Sequence, residues 1–182
     1  MRLCVSITGK DGPGIIAAVT NVFYRFHGNL EDASMSVLGG EFAMILIVSF
    51  PPSAKFKSLL EKMKVLEKKR KLTITARSIK PRFKRSAFPK QPRTIPYLIS
   101  IFGRDRAGIV YRVSDLLAQN RLNITDLDSK LILSKPKNIY GLLIEVDIPK
   151  QFPIGRLQRR LAKIAGSMHV DLTFKAVEPL TL

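Results

Sequence analysis

Two glycine-containing segments carry the residue types in this chain that are best suited to hold a small anion. The first reads GKDGPG (residues 9–14) and the second reads GRDRAG (residues 103–108). In the first, alternating apolar residues typical of a strand precede the segment, and apolar residues at helical spacing follow it. Backbone amides at the start of a helix have no partner within the helix and can receive a carboxylate. Both segments are therefore candidate ligand-binding turns.

The same residues also have a purely structural interpretation. Asp11 is placed to cap the helix or to interact with the positive end of its dipole. Pro13 is well tolerated in a first turn, because its missing N–H would be unpaired anyway. Gly14 in that turn would cost about 1 kcal/mol relative to alanine. At this point the segment fits a well-formed turn as well as a ligand-binding one.

The two segments belong to an internal repeat. Residues 7–33 align with residues 101–127 at a constant offset of 94, and FAMILIVSFP (42–51) then aligns with YGLLIEVDIP (140–149). Identical pairs include Gly9/Gly103, Asp11/Asp105, Gly14/Gly108, Asn29/Asn123 and Asp32/Asp126. A repeat of this length predicts two copies of one domain. We expect a first domain at 1–80, a basic, proline-containing linker at 81–95, and a second domain at 96–182.

Each copy is predicted to fold in the order βαββαβ. The expected elements are a strand near 2–8, a helix near 13–27, strands near 30–38 and 42–50, a helix near 54–70 and a strand near 72–79, with the same order between 96 and 177. Paired glycines at 39–40 suit a tight hairpin, and SKPKN (134–138) predicts a longer loop in copy two. The order is that of an α+β, ferredoxin-like fold, present twice in tandem.

Positive charge is concentrated in one part of the chain. The formal net charge is +17, and residues 55–93 contain 15 of the 31 basic residues but only two acidic ones. A solvated surface explains such a run, and so does an anionic partner, since the predicted helix and the linker could hold phosphates non-specifically. Nucleic-acid binding through this segment is therefore the alternative function. Against recognition by the sheet face, aromatic residues lie mainly at the ends of the predicted strands.

Other classes of protein are disfavoured by what the sequence lacks. It shows no Ser–His–Asp pattern, no phosphate-binding GxxxxGK[ST] loop and no Cys/His cluster with metal spacing, so we expect no enzyme, no metal and no cofactor. No run of 18 apolar residues is present, and the first strand begins without a signal-like segment. The expectation is a cytoplasmic protein with no membrane partner.

The third predicted strand of copy one is apolar on both sides. Ala43, Ile45 and Ile47 alternate with equally apolar neighbours, although helices cover only one face of this fold. A strand of this kind is typical of a sheet that is covered on both faces. We therefore expect the open face to meet the other copy or another chain.

With these motifs in place, the chain resembles paired ACT domains, which are small-molecule-sensing regulatory modules. The resemblance rests on GKDGPGI…GNLEDA and GRDRAGIVYRVSDLLAQNRLNITDL, and the tandem layout is similar to the glycine cleavage system transcriptional repressor group. It implies a non-catalytic regulator that binds glycine or a similar amino acid at domain interfaces. It also implies a homo-oligomer or a partner regulatory protein, such as a transcription regulator.

The resemblance also implies where the ligand would bind. Contacts in this family fall in the loop after the first strand and at the start of the second strand. In copy one these positions are Lys10, Asp11, Gly12, Pro13, Gly14, Asn29 and Leu30, and in copy two they are Asp105, Arg106, Ala107, Gly108, Asn123 and Ile124. Arg106 lies opposite Gly12, so this side chain could pair with a ligand carboxylate or could block the pocket.

Overall fold

The computed structural model describes residues 1–79, 94–132 and 139–177. The chain divides into two compact units, Met1–Arg85 and Ser86–Leu182, and we refer to them as the first and second domain. The predicted linker lies almost wholly outside the described residues, and so does the predicted loop at 134–138. The second domain's first strand begins at Thr94, two residues before the domain start expected from the sequence, and the exact boundaries stay predictions.

The first domain alternates strands and helices in the expected order. Its elements are β1 (Arg2–Lys10), α1 (Ile15–Arg25), β2 (Asn29–Leu38), β3 (Glu41–Ser49), α2 (Phe56–Arg70) and β4 (Leu72–Ser78). The sheet has the strand order β2-β3-β1-β4, and each neighbouring pair is antiparallel. The hairpin between β2 and β3 contains Gly39 and Gly40 at φ angles of 61° and 83°, which confirms the predicted tight turn.

The second domain repeats this arrangement. Its elements are β5 (Thr94–Arg104), α3 (Ile109–Gln119), β6 (Asn123–Ile132), β7 (Ile139–Pro149), α4 (Ile154–Met168) and β8 (Val170–Ala176). The sheet order is β6-β7-β5-β8, with antiparallel neighbours. The prediction of two tandem ferredoxin-like βαββαβ domains is therefore confirmed.

Each domain has its own apolar core between its sheet and its two helices. In the first domain, Leu3, Val5 and Ile7 of β1 are fully buried and form one core cluster with α1 and α2. In β1 the residues between them lie on the other face of the sheet, because side chains alternate along a strand. On that open face, Ile45 of β3 is 54% exposed. The prediction that another surface covers it stays a prediction.

In the described residues, each of the four helices is followed within two residues by a left-handed backbone conformation. A non-glycine residue with a left-handed backbone stands after each one: His27 after α1, Lys71 after α2, Arg121 after α3 and His169 after α4, with φ angles between 53° and 55°. This conformation turns the chain from the helix into the following strand. It costs an L-residue roughly 1–2 kcal/mol, so the packing of each domain must hold these residues in place.

Candidate functional site

The glycine-containing turn of the first domain lies between β1 and α1. Lys10 ends β1, and the backbone N–H of Asp11 donates to the carbonyl oxygen of Gly40 over 2.9 Å. Gly14 directly precedes α1 in a left-handed conformation, with φ 81° and ψ 7°. Glycine adopts this conformation without a steric penalty, so the cost that we expected for a glycine inside the helix does not apply.

No side chain caps the start of α1. Gly14 occupies the capping position, no side chain hydrogen bond is made there, and the first turn carries no acidic residue. The prediction that Asp11 caps this helix is therefore wrong, because Asp11 lies three residues too early in the chain. The first amides of α1 consequently have neither a helical partner nor a capping group, which leaves them suited to an anion.

A cavity of about 500 Å³ opens over this turn and the start of α1. Residues 11–17 line it, together with Met35 of β2 and Phe42 of β3. The cavity therefore has a polar end, made by the turn and the helix amides, and an apolar side made by the sheet. Clefts with this combination are typical small-molecule sites.

Arg70, the last residue of α2, contacts this turn. Its Nη1 atom donates to the carbonyl oxygen of Pro13 over 3.3 Å, and its guanidinium is the nearest group to the position of a Cβ added at Gly14. Arg70 was not among the residues predicted for the site. Arg70 can be assigned to the site only from the fold, because the two helices pack so that the end of α2 lies beside the start of α1.

The other predicted contact residues of the first domain lie at the opposite end of the sheet. Lys10 pairs with Glu41, and Glu41 in turn pairs with Leu38 at the end of β2. Asn29 is the first residue of β2. Nine residue steps of about 3.3 Å separate it from Leu38, which amounts to roughly 30 Å. The structure therefore does not bring Asn29 and Leu30 together with the turn of the same domain.

A bulge explains part of the second repeated motif. The register of β2 against β3 shifts between Leu30 and Asp32, and that of β6 against β7 shifts at the equivalent point, between Ile124 and Asp126. Asp32 accepts a hydrogen bond from the backbone N–H of Ala33 over 2.9 Å. The recurrence of the aspartate therefore fits the strand geometry at the bulge, and the bulge does not explain the recurrence of the asparagine.

The turn of the second domain has the same backbone but a different surrounding. Gly108 precedes α3 with φ 94°, again without a side chain cap, and no atom lies within 4 Å of a Cβ built on it. Asp105, Arg106 and Ala107 are exposed. The last residue of α4 is Met168, which is buried, where α2 has Arg70. Positive charge at this turn therefore comes from Arg106 in the loop itself.

The start of β6 divides into an exposed and a packed residue. Asn123 is exposed, whereas Ile124 is half-buried and packs against the core of the second domain. In the first domain, the equivalent Leu30 is 45% exposed. A contact with a ligand is thus easier for Leu30 than for Ile124, and the assignment of both residues stays a prediction.

Gly9 and Gly103 recur for a different reason than Gly14 and Gly108. A Cβ added to Gly9 would lie 2.8 Å from Cδ2 of Leu72, and one added to Gly103 would lie 2.7 Å from Cγ1 of Val170. These neighbours begin the edge strands β4 and β8. Gly9 and Gly103 therefore permit the close approach of adjacent strands. The ligand-binding hypothesis concerns only Gly14 and Gly108.

The basic helix predicted from the sequence is α2. Its apolar side includes Leu59 and Met63, which are buried, and its lysines are exposed as expected. Phe56 of the same helix is 38% exposed. It is the first residue of the helix, so it lies at the edge of the core.

The described residues contain neither a metal-binding cluster nor a membrane-spanning helix. Within 1–79, 94–132 and 139–177, no group of three or more His, Cys, Asp or Glu side chains could hold a metal ion. In the same ranges, every helix is too short or too polar to cross a membrane.

The sequence of this chain matches a known domain family twice. The ACT domain family matches residues 1–77 and residues 96–175. A UPF0237 protein of Corynebacterium diphtheriae is 39% identical over 79 residues, which cover 43% of this chain and 89% of that protein. A UPF0237 protein of Pyrobaculum aerophilum is 31% identical over 83 residues, which cover 41% of this chain and 88% of that protein. Each match is about as long as one of the two domains.

Two crystal structures are similar over nearly the whole chain. A protein from Galdieria sulphuraria has a TM-score of 0.79 and 26% sequence identity, and the match covers 97% of this chain and 98% of that one. A protein proposed to be a glycine cleavage system transcriptional repressor has a TM-score of 0.66 at 17% identity, with 98% of each chain covered. At that identity the second similarity supports the fold alone.

Proposed function

Since the chain belongs to the ACT-domain family, whose domains are regulatory, we propose that it is a non-catalytic regulator that binds an amino acid at the turn before α1. The ligand is glycine or a similarly small amino acid. Its carboxylate binds the free amides at the start of α1, and its remaining atoms occupy the cavity beside Met35 and Phe42.

The observation that carries this proposal is the uncapped start of α1 beneath a cavity of about 500 Å³. Arg70 supports it, because a guanidinium in contact with the turn adds positive charge at the place where a carboxylate would bind. The second domain offers the same uncapped start at α3, with Arg106 as the nearby cation. Whether one domain or both bind is part of the test.

Asn29 and Asn123 take part only if a site is shared. Within one domain, Asn29 lies roughly 30 Å from the turn. A small ligand that contacts the turn and also an asparagine at the start of a second strand must therefore contact two different domains. A regulator built in this way responds through domain packing, because a ligand shifts an equilibrium only by its differential affinity for two arrangements. The output of the regulator is a partner protein, such as a transcription regulator.

A thermal-shift panel of the twenty amino acids tests the proposal. We expect one amino acid, or a small chemically related group, to raise the melting temperature, since ligands that bind the native state stabilise it. Gly14→Leu should abolish the shift by occupying the turn, whereas Gly155→Ala in α4, with no atom within 4 Å of its added Cβ, should retain it. Absence of a shift with every amino acid would count against the proposal.

A further inference from the structure

A groove lies between α1 and α2 in the first domain. Its volume is about 450 Å³, and its apolar part includes Val22, Phe26 and Leu66, which are half-buried against the domain core. Val65 also lines the groove and is 60% exposed. Apolar surface is therefore accessible from outside the domain along the line where the two helices meet.

Exposed cations surround this apolar surface. Arg25 of α1 and Lys62 and Lys69 of α2 line the groove, and no acidic side chain among the described residues does. Within the described ranges, none of the three forms a salt bridge or a hydrogen bond through its side chain. Three like charges around an apolar surface repel each other unless an anion binds among them.

The second domain provides an internal comparison, because it has a groove of about 360 Å³ at the equivalent place between α3 and α4. There, Arg160 donates from Nη2 to Oε1 of Gln119 over 2.8 Å, and Gln119 donates from Nε2 to Oδ2 of Asp115 over 2.8 Å. Arg112 also reaches Oγ of Ser167 over 3.5 Å. Side chains of the second domain thus bridge its own groove, whereas the cations of the first have no such partners.

We propose that the groove of the first domain binds an acidic amphipathic helix of a partner protein. Lys62 and Lys69 are seven residues apart, so they lie on one side of α2 and are separated by about 10.5 Å along its axis. Two carboxylates seven residues apart on a docked helix have the same separation. Apolar side chains between those carboxylates would then face Val65 and Leu66, as in other complexes of a helix bound in a groove.

Two features favour this occupant over other anions. The cations lie at both ends of the groove, whereas a ligand with a single anionic group would need charge at one end only. The apolar surface between them is of no use to a phosphate backbone, which is bound chiefly by charge. An acidic helix with apolar residues on the same face uses both features.

The groove is joined to the proposed ligand site through Arg70. This residue lines the groove and also contacts the carbonyl oxygen of Pro13 in the turn. The inference rests on one part of the proposed function, namely that the chain acts through a partner protein. Its failure is separable from that of the proposed function, because peptide binding and the amino-acid thermal shift are measured independently.

The test uses the full chain and fluorescein-labelled helical peptides of about 18 residues, long enough to form a helix. One peptide carries two glutamates seven residues apart with leucines between them on the same face. A second peptide of identical composition has its glutamates five residues apart, on different faces. The groove variant is Lys62→Glu with Lys69→Glu. The control, Lys57→Glu with Lys64→Glu, makes the same charge change at the same spacing on α2, outside the groove.

We expect the first peptide to bind about tenfold more tightly than the second, and the groove variant to lose about tenfold in affinity while the control loses less than about twofold. The melting temperatures of both variants, and their amino-acid shifts, should match those of the original chain. Equal losses in the two variants, equal binding of the two peptides, or no binding of either would overturn the inference. Tighter binding of a duplex oligonucleotide that both variants weaken equally would replace it with the nucleic-acid alternative.

Discussion

The Nη1 atom of Arg70 donates to the carbonyl oxygen of Pro13 over 3.3 Å, which joins the end of α2 to the turn before α1. The two residues are 57 positions apart in sequence, and the contact is exposed. A carboxylate bound at the turn would compete with Pro13 for this guanidinium, since charged acceptors form the stronger hydrogen bonds. Arg70 thereby gives the proposed ligand site a physical connection to the helix groove.

Replacement of Arg70 is the most direct probe of that connection. We expect Arg70→Met to weaken amino-acid binding about tenfold, because a hydrogen bond to a charged group contributes roughly 1.5–3 kcal/mol. Calorimetric titration with the amino acid identified by thermal shift measures the loss. Lys68→Met, on the same helix and exposed, is the matched control and should bind normally. Unchanged affinity in the Arg70 variant would remove this residue from the site.

The left-handed backbone of Gly14 predicts a loss of stability on substitution. At φ 81°, Gly14→Ala should lower the free energy of unfolding by about 1 kcal/mol, because an L-residue is strained in this conformation. Urea unfolding followed by circular dichroism measures the change. Gly12→Ala has open space around its added Cβ and no positive φ, so its unfolding midpoint should hardly move. Equal effects at both positions would contradict this explanation.

Gly9 and Gly103 should be intolerant of alanine for steric reasons. The added methyl groups would lie 2.8 Å from Leu72 and 2.7 Å from Val170, and overpacking of this kind costs about 1–3 kcal/mol. Each variant should show a lower unfolding midpoint in urea. The control variant should change the stability in the opposite direction. Gly166 lies in α4 with no atom within 4 Å of its added Cβ. Gly166→Ala should therefore stabilise the chain by up to about 1 kcal/mol.

The ion pair between Arg2 and Glu31 should contribute little to stability. Nη2 and Nε of Arg2 lie 2.6 Å and 2.7 Å from Oε2 of Glu31, and the side chains are 19% and 31% exposed. Partly exposed pairs of this kind contribute up to about 1 kcal/mol. A double-mutant cycle with Arg2→Met and Glu31→Gln should give a coupling energy in that range, and it should decrease in 1 M salt because of screening. A coupling that is insensitive to salt would show that charge is not its source.

The local sequence pattern predicted the helices and strands of both domains. It did not predict the roles that residues take through tertiary contacts. The alternation of Leu3, Val5 and Ile7 and the helical spacing after Ile15 correspond to β1 and α1 because each pattern depends only on neighbours in sequence. Pattern also marked the repeated glycines, but it could not separate close strand packing at Gly9 from left-handed backbone at Gly14. That distinction depends on where β4 lies.

Arg70 shows a second limit of the sequence. It occurs in a run of basic residues on α2, and composition alone does not distinguish one member of this run from another. Its contact with Pro13 arises from the packing of two helices that are separated along the chain by two strands. The hydrogen bonds across the groove between α3 and α4 also arise from the packing of two helices. Contacts of this kind follow from the fold and become predictable only once the fold is known.

The left-handed residues after the four helices also bear on how the two halves of the chain diverged. His27 corresponds to Arg121, and Lys71 to His169, yet the φ angles differ by no more than 2°. If both domains descend from one duplicated ancestor, this backbone geometry outlasted the residues that adopt it. An alignment scored by residue identity then underestimates the similarity of the two domains. At these positions the main chain is therefore more alike in the two domains than the side chains are.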